Sequence, residues 1–312
     1  MKAQRIAIFG HGPVGRETAR LLLARGDFVR IVQRKPPADL LPGALFIVGD
    51  LLSAVDVEAA CDGVDTVICT AGLPYRASVW ERDWPVAMDN LVNGCAASGA
   101  RLVFADNLYM YGPQTVPLRE ELPLTDFGIK PRVRAEITRE WRDAHRAGRV
   151  KAVAVRASDF YGPDVPNSVI SYFGVRAMLA GKVVMLPYGC DQPHDFTYVP
   201  DFAHALVTLA DAPDADYGQA WHVPNAPTRT LRQVLQLASE LAGVKLRIRV
   251  LPGWLRGIMG RFVPELVEMD ELAFQTDRPY IVDSRKFLAR FGIEATPFET
   301  GLAETIASYR KG

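Results

Sequence analysis

Glycine recurs at positions 10, 12 and 15 in the run Gly10-His11-Gly12-Pro13-Val14-Gly15. That spacing handles phosphates when it lies between a strand and a helix. Gly10 allows a tight turn, Gly12 lets the backbone approach a pyrophosphate, and Gly15 lets the helix pack on the strand. Pro13 and Val14 then open a helix whose N–H groups and positive dipole end face the phosphates. The flanks fit: residues 5–9 read RIAIF, a strand, and residues 14–24 carry an amphipathic helical period.

The end of the second strand selects the dinucleotide. An NAD site carries Asp or Glu there, bonded to the ribose 2′-hydroxyl. This chain has Gln33-Arg34-Lys35, and no acid until Asp39. Arg34 can fork onto a 2′-phosphate and Lys35 adds point charge. The expected cofactor is NADP rather than NAD.

The elements that position this loop alternate. Strands are expected at 5–9, 28–32, 44–48, 66–70, 101–105 and 151–156, with helices at 14–24, 54–61, 85–98 and 132–147. Strands apolar almost throughout and separated by helices predict a parallel sheet covered on both faces. The fold class is α/β, a doubly wound Rossmann sheet with a small C-terminal substrate lobe. Residues 1–159 plus 196–224 form the nucleotide domain, and 160–195 plus 225–312 the lobe, with a ligand cleft expected at the carboxyl ends of the strands. Further helices are expected at 167–180, 201–211, 230–242, 264–275, 283–291 and 299–310.

Composition narrows the function classes. The 312 residues are 49% apolar and 23% charged, the range of an ordinary globular chain. Lys plus Arg equals Asp plus Glu at 36 each, which gives no basic nucleic-acid footprint. No apolar run reaches membrane-span length, and no signal-type stretch precedes Arg5, so a cytoplasmic protein is expected. Cys61, Cys69, Cys95 and Cys190 form no C-x-x-C pair and read as buried reduced thiols, not as metal ligands. Residues 130–156 hold ten Lys, Arg or His against three acids, read as the solvated face of a helix. Val133, Ile137 and Trp141 form a stripe that packs on the sheet or on a second subunit. Trp80, Trp84, Trp221 and Trp254 line a cleft or fill cores.

Several motifs, in order, resemble the extended and atypical short-chain dehydrogenase/reductases, the NAD-dependent epimerase/dehydratase group. After the glycine loop come Gly49-Asp50-Leu51, Ala71-Gly72, Tyr111-Gly112, Arg156 with Tyr161-Gly162-Pro163, and Asp195-Phe196-Thr197-Tyr198-Val199 followed by Asp201. Residues 283–286 and Gly301-Leu302 close the series. The resemblance implies that Asp50, beside Leu51, bonds the adenine amino group and that Ala71-Gly72 forms a cofactor turn. It also implies a small-molecule substrate and allows a homodimer. His194 stands where the family has Arg in its substrate segment, which argues against carrying over a nucleotide-sugar substrate.

The family's Ser-Tyr-Lys triad is missing from its expected positions. Asn107 occupies the Ser position, after Asp106, and Gly128 and Arg132 occupy those of Tyr and Lys. None of the ten tyrosines has Lys four residues later. Proton transfer then falls to another group, with Asp106, Tyr109, Tyr111, Lys130, Tyr161 and His194 as candidates. Tyr111 and Tyr161 are the favoured acids, Asn107 would orient the substrate oxygen, and Arg132 would hold ribose hydroxyls. The alternatives are an NADP(H)-binding redox sensor without turnover and a scaffold with a structural cofactor.

Overall fold

The computed structural model describes residues 3–166, 168–259 and 264–311. The chain runs β1 (Arg5–Phe9), α1 (Pro13–Ala24), β2 (Phe28–Gln33), β3 (Leu45–Val48), α2 (Ala54–Cys61), β4 (Thr66–Cys69), α3 (Ala77–Ser98), β5 (Arg101–Asp106), α4 (Lys130–Arg146) and β6 (Ala152–Arg156). It continues through β7 (Asp159–Tyr161), α5 (Ala177–Leu179), β8 (Val184–Leu186), β9 (Pro193–His194), β10 (Phe196–Tyr198), α6 (Val199–Asp211) and β11 (Ala220–His222). Then follow β12 (Arg229–Thr230), α7 (Leu231–Ala242), β13 (Ile248–Val250), α8 (Gly253–Met259), α9 (Pro264–Asp270), α10 (Arg285–Phe291) and α11 (Phe298–Lys311).

Contacts divide the chain into two compact units. The first holds residues up to 110, 124–156 and 202–221. Its seven strands lie in the order β3-β2-β1-β4-β5-β6-β11, and the ladders joining β3 through β6 are parallel. This is the doubly wound order that reverses direction between β1 and β4. Burial follows position. β4 and β6 are buried at every residue, whereas Leu45 and Val48 on edge strand β3 are exposed. Val133, Ile137 and Trp141 of α4 join the buried cluster with Leu102, Phe104 and Ala154 of the sheet. The stripe therefore packs on the sheet, which leaves none of the three for a second copy.

Helix α3 departs from the expected 85–98. It begins eight residues earlier and carries Pro85 inside it. Trp80 and Trp84, one turn apart and both buried, anchor the early turns to the core. Gly99, at φ 73°, ends the helix in the left-handed region. The helix expected over 264–275 stops at Asp270 and resumes as a 3-10 turn at Ala273–Gln275. Of the helix expected over 167–180, residue 167 lies outside the described residues; Ser171–Arg176 is a π-helical turn that runs into α5.

The second unit holds residues 111–123, 157–201 and 222–312. Three two-stranded ladders, β7 with β10, β8 with β13 and β9 with β12, frame a core between α7 and α11. Sequence reasoning put residues 111–123 in the nucleotide domain. Backbone bonds from Leu118 N to Ile281 O (2.7 Å) and from Asp283 N to Leu118 O (2.8 Å) tie them to the C-terminal segment instead.

Candidate cofactor and active site

The glycine loop adopts the geometry its spacing demands. Gly10 sits at φ +94°, where a side chain is strained, and a Cβ there would lie 2.8 Å from Ala71 Cα. A Cβ on Gly15 would lie 2.5 Å from Thr70 Oγ1 and closer still to the Gly10 carbonyl oxygen. These two glycines therefore let α1 and the turn after β4 close on the end of β1. Gly12 differs: a Cβ there would meet nothing within 4 Å. It is the N-cap of α1, makes no side-chain cap, and is followed by Pro13. The open side of the loop thus faces the helix N-terminus, whose first N–H groups lack intrahelical partners. Val14 is buried beneath it. Residues and space both fit a dinucleotide pyrophosphate.

Gln33 at the end of β2 does work that sequence reasoning missed. Its Oε1 accepts from His11 N at 3.2 Å, and its Nε2 donates to Lys35 O at 2.7 Å. One amide thereby clasps the glycine loop to the turn bearing Arg34 and Lys35, both exposed. Asp39 turns back to Arg16 Nε (3.1 Å), so this acid pairs with α1. In the turn after β3, Asp50 Oδ1 accepts from Leu52 N at 3.0 Å, which fixes the carboxylate within its own turn. Leu51 is buried, Ala71 is half-buried and Gly72 is exposed.

At the ends of β5 and β6 the expected proton chemistry gives way to a buried ion cluster. Arg156 Nε donates to Asp106 Oδ2 at 3.2 Å, and Arg134 Nε lies 3.7 Å from Asp106 Oδ1. Arg156 also reaches Thr138 Oγ1 at 3.1 Å. The Arg134 guanidinium lies over the rings of Trp84 (4.1 Å) and Trp80 (5.0 Å). Burial lowers its pKa, and Asp106 opposes that. Asp106 is thus held between two guanidinium groups. Lys130, Arg134 and Arg156 are buried while Arg139, Arg146, Arg149 and Lys151 are exposed, so the basic run is only in part a solvated face.

The residues that the sequence offers for catalysis divide between the two units, Asn107 and Arg132 in the first and Tyr111 and Tyr161 in the second. Asn107 Oδ1 accepts from Tyr109 N at 3.0 Å, a local turn. Arg132 pairs with Glu81 (2.6 Å) and Glu136 (3.4 Å), two partly exposed carboxylates. Tyr111 is 1% exposed, and its hydroxyl bonds His222 Nε2 at 2.8 Å. Tyr161 is fully buried among Tyr198, Phe298 and Leu302, its hydroxyl without a hydrogen-bond partner. Burial drives the Tyr161 pKa up, with Asp201 and Glu299 adding to it, which is the wrong direction for an acid working near neutrality. Both tyrosines are packing residues in this structure. His194 is buried, stacked on Phe196, with Nδ1 on Gln275 O at 2.9 Å and Nε2 3.3 Å from Asp159. Trp80, Trp84 and Trp221 fill cores, and Trp254 is exposed. Among the described residues, no helix is long and apolar enough to cross a membrane.

Comparison with known proteins agrees with this geometry. The chain is 26% identical over 237 residues to sterol-4-alpha-carboxylate 3-dehydrogenase, decarboxylating, of Bos taurus, covering 72% of this chain and 66% of that one. The chain spans 59–66% of the length of the curated relatives it matches. Among solved structures, dTDP-glucose 4,6-dehydratase of Bacillus anthracis in complex with NAD superposes with a TM-score of 0.81 at 19% identity, covering 99% of this chain and 97% of that one. The UDP-glucose 4-epimerase of Thermus thermophilus, also in complex with NAD, gives 0.79 at 20%, over 98% and 99%. The sequence profile of the NAD dependent epimerase/dehydratase family matches residues 6–223, so the chain belongs to that family.

Proposed function

We propose that the chain is an NADP-dependent oxidoreductase acting on a hydroxyl- or carbonyl-bearing small molecule. The carrying observation is the loop in which Gly10 and Gly15 are sterically required while the space before Gly12 is open. Gly10, Gly12, Pro13, Val14 and Gly15 would hold the pyrophosphate, Asp50 and Leu51 the adenine, Ala71 and Gly72 the cofactor turn, and Arg34 and Lys35 a 2′-phosphate. The bound dinucleotide supplies or accepts the hydride. The relatives bring two substrate classes to this reading, a sterol hydroxyl and a nucleotide sugar. A reducing cytoplasmic compartment, supported by four buried free thiols, and a homodimer belong to the same reading.

Calorimetric titration with NADP+ and NAD+ tests it. Gly12→Val should abolish binding while leaving the melting temperature unchanged, since the new side chain enters open space. Gly15→Ala should lower that temperature by forcing the loop off α1. Normal affinity in Gly12→Val would place the dinucleotide elsewhere. The ion-paired Arg132 favours a second reading, a redox sensor without turnover. It would show clearly different affinities for NADP+ and NADPH and no reduction of NADP+ with a 3β-hydroxysteroid or UDP-glucose.

A further inference from the structure

Lys130 is fully buried and is the first residue of α4. The positive end of a helix dipole opposes an ammonium there, and burying one is unfavourable unless something compensates. The Nζ lies 4.9 Å from the centroid of the Tyr75 ring, so this phenol is part of the compensation. Tyr75 is 39% exposed and lies three residues beyond Gly72, in the segment that leaves β4 beside the glycine loop. Its ring is held edge-on to Trp80 at 5.6 Å, and Trp80 stacks on Tyr109 at 6.2 Å. A partly exposed phenol thus has one face on a buried cation.

We propose, resting on the dinucleotide reading above, that Tyr75 is the catalytic acid–base of this chain and that Lys130 is the residue positioning and tuning it. The pair is assembled from two separate segments, 55 positions apart in sequence. A buried ammonium favours the phenolate form of a neighbouring Tyr. Lys130 supplies that charge directly, and Trp80, edge-on to Tyr75, itself faces Arg134 and Tyr109. In reduction of a carbonyl, the Tyr75 O–H bond breaks and its electron pair stays on the phenolate oxygen. The proton goes to the substrate oxygen, which becomes a hydroxyl. The carbonyl carbon is reduced by the hydride that the reduced nicotinamide gives up. Solvent then reprotonates Tyr75, which is partly exposed.

The test begins with the cofactor-free protein and the ultraviolet difference absorbance of tyrosinate as pH is raised. Tyr161, Tyr188, Tyr198, Tyr217 and Tyr309 are all pushed up by burial, so an early tyrosine stands clear of half the total. One equivalent should ionise ahead of the rest, vanish in Tyr75→Phe, return to the others in Lys130→Met and persist in Lys130→Arg. A wild-type curve with no early equivalent, or one that survives in Tyr75→Phe, overturns the pair. The second readout is proton release on binding NADP+, taken from calorimetry in buffers of different ionisation enthalpy. Wild type should release protons and Tyr75→Phe should not, at similar affinity; equal release overturns the assignment. In turnover Tyr75→Phe should lose about 10²–10⁴-fold in rate. If the wild type binds neither NADP+ nor NAD+, the dinucleotide reading fails instead, and the tyrosinate curve still decides whether the pair exists.

Discussion

Asp106 and Arg156 are register partners across β5 and β6, and their side chains meet at 3.2 Å with both fully buried. The parallel ladder therefore builds the ion pair, with Arg134 arriving from α4 as a second cation. Replacing Asp106 with Asn keeps the shape and removes the carboxylate that faces two buried guanidinium groups. The expected loss is about 3–5 kcal/mol of folding stability. It should appear as a lower urea midpoint at constant slope. An Asp106→Asn variant as stable as wild type would mean that the cluster contributes nothing net.

That cluster also shows what the sequence hides. Glycine spacing was legible because turn, close approach and helix packing each exclude a Cβ at a particular position. The basic run at the start of α4 was harder. Successive helical residues turn by about 100°, so Lys130 and Arg134 share a face while Arg132 lies nearly opposite. The signal was present, because Arg134 and Thr138 fall beside the Val133-Ile137-Trp141 stripe. Charge argued for solvent, but Arg134 goes inward to Asp106 and the Trp rings, and Lys130 to the Tyr75 ring. Helix α3 starts before the expected 85–98 because Trp80 and Trp84, both buried, carry it back past Pro85. The attachment of residues 111–123 to the second unit rests on Leu118 pairing with residues more than 160 positions away, which no local pattern encodes.

Cofactor choice should follow Arg34. The side chain is exposed beside the turn that Gln33 clasps to the glycine loop, so its replacement should not disturb the fold. Arg34→Asp should weaken NADP+ by roughly 1.5–3 kcal/mol, the value of a hydrogen bond to a charged group, and leave NAD+ little changed. Calorimetry on both dinucleotides measures this. Equal affinity of the wild type for NAD+ and NADP+ would remove the role given to Arg34 and Lys35.

Tyr161 and Gly301 should behave as a coupled packing pair. A Cβ on Gly301 would lie 2.8 Å from the Tyr161 hydroxyl, which has no hydrogen-bond partner. Tyr161→Phe removes a buried unsatisfied group, so stability should hold or rise, by at most about 1–3 kcal/mol. Gly301→Ala should destabilise, and the double variant should recover part of the loss. A double-mutant cycle on urea unfolding reads the coupling, expected at about 0.5–3 kcal/mol. Additive effects would show that the ring moves aside freely. Turnover should survive Tyr161→Phe.

Glu140 should give stability a pH slope opposite to that of the usual paired carboxylate. It lies on α4, and its pKa is raised to about 7, first by burial, then by repulsion from Asp89, with Arg149 opposing. In the unfolded chain a Glu carboxyl titrates near ~4.3. Between those two values the folded chain holds a proton that the unfolded chain has released. The slope of unfolding free energy with pH follows the protons bound in the unfolded state minus those in the native state, which is negative here. Glu140 therefore adds its full stabilising contribution below the unfolded pKa and loses it as pH rises through about 7. Glu140→Gln fixes the neutral form. Its melting temperature relative to wild type should climb between roughly pH 4.3 and 7 and level off above, the window being set by the two pKa values. Parallel melting curves across that window would show that the carboxyl is solvated in the fold as it is in the unfolded chain.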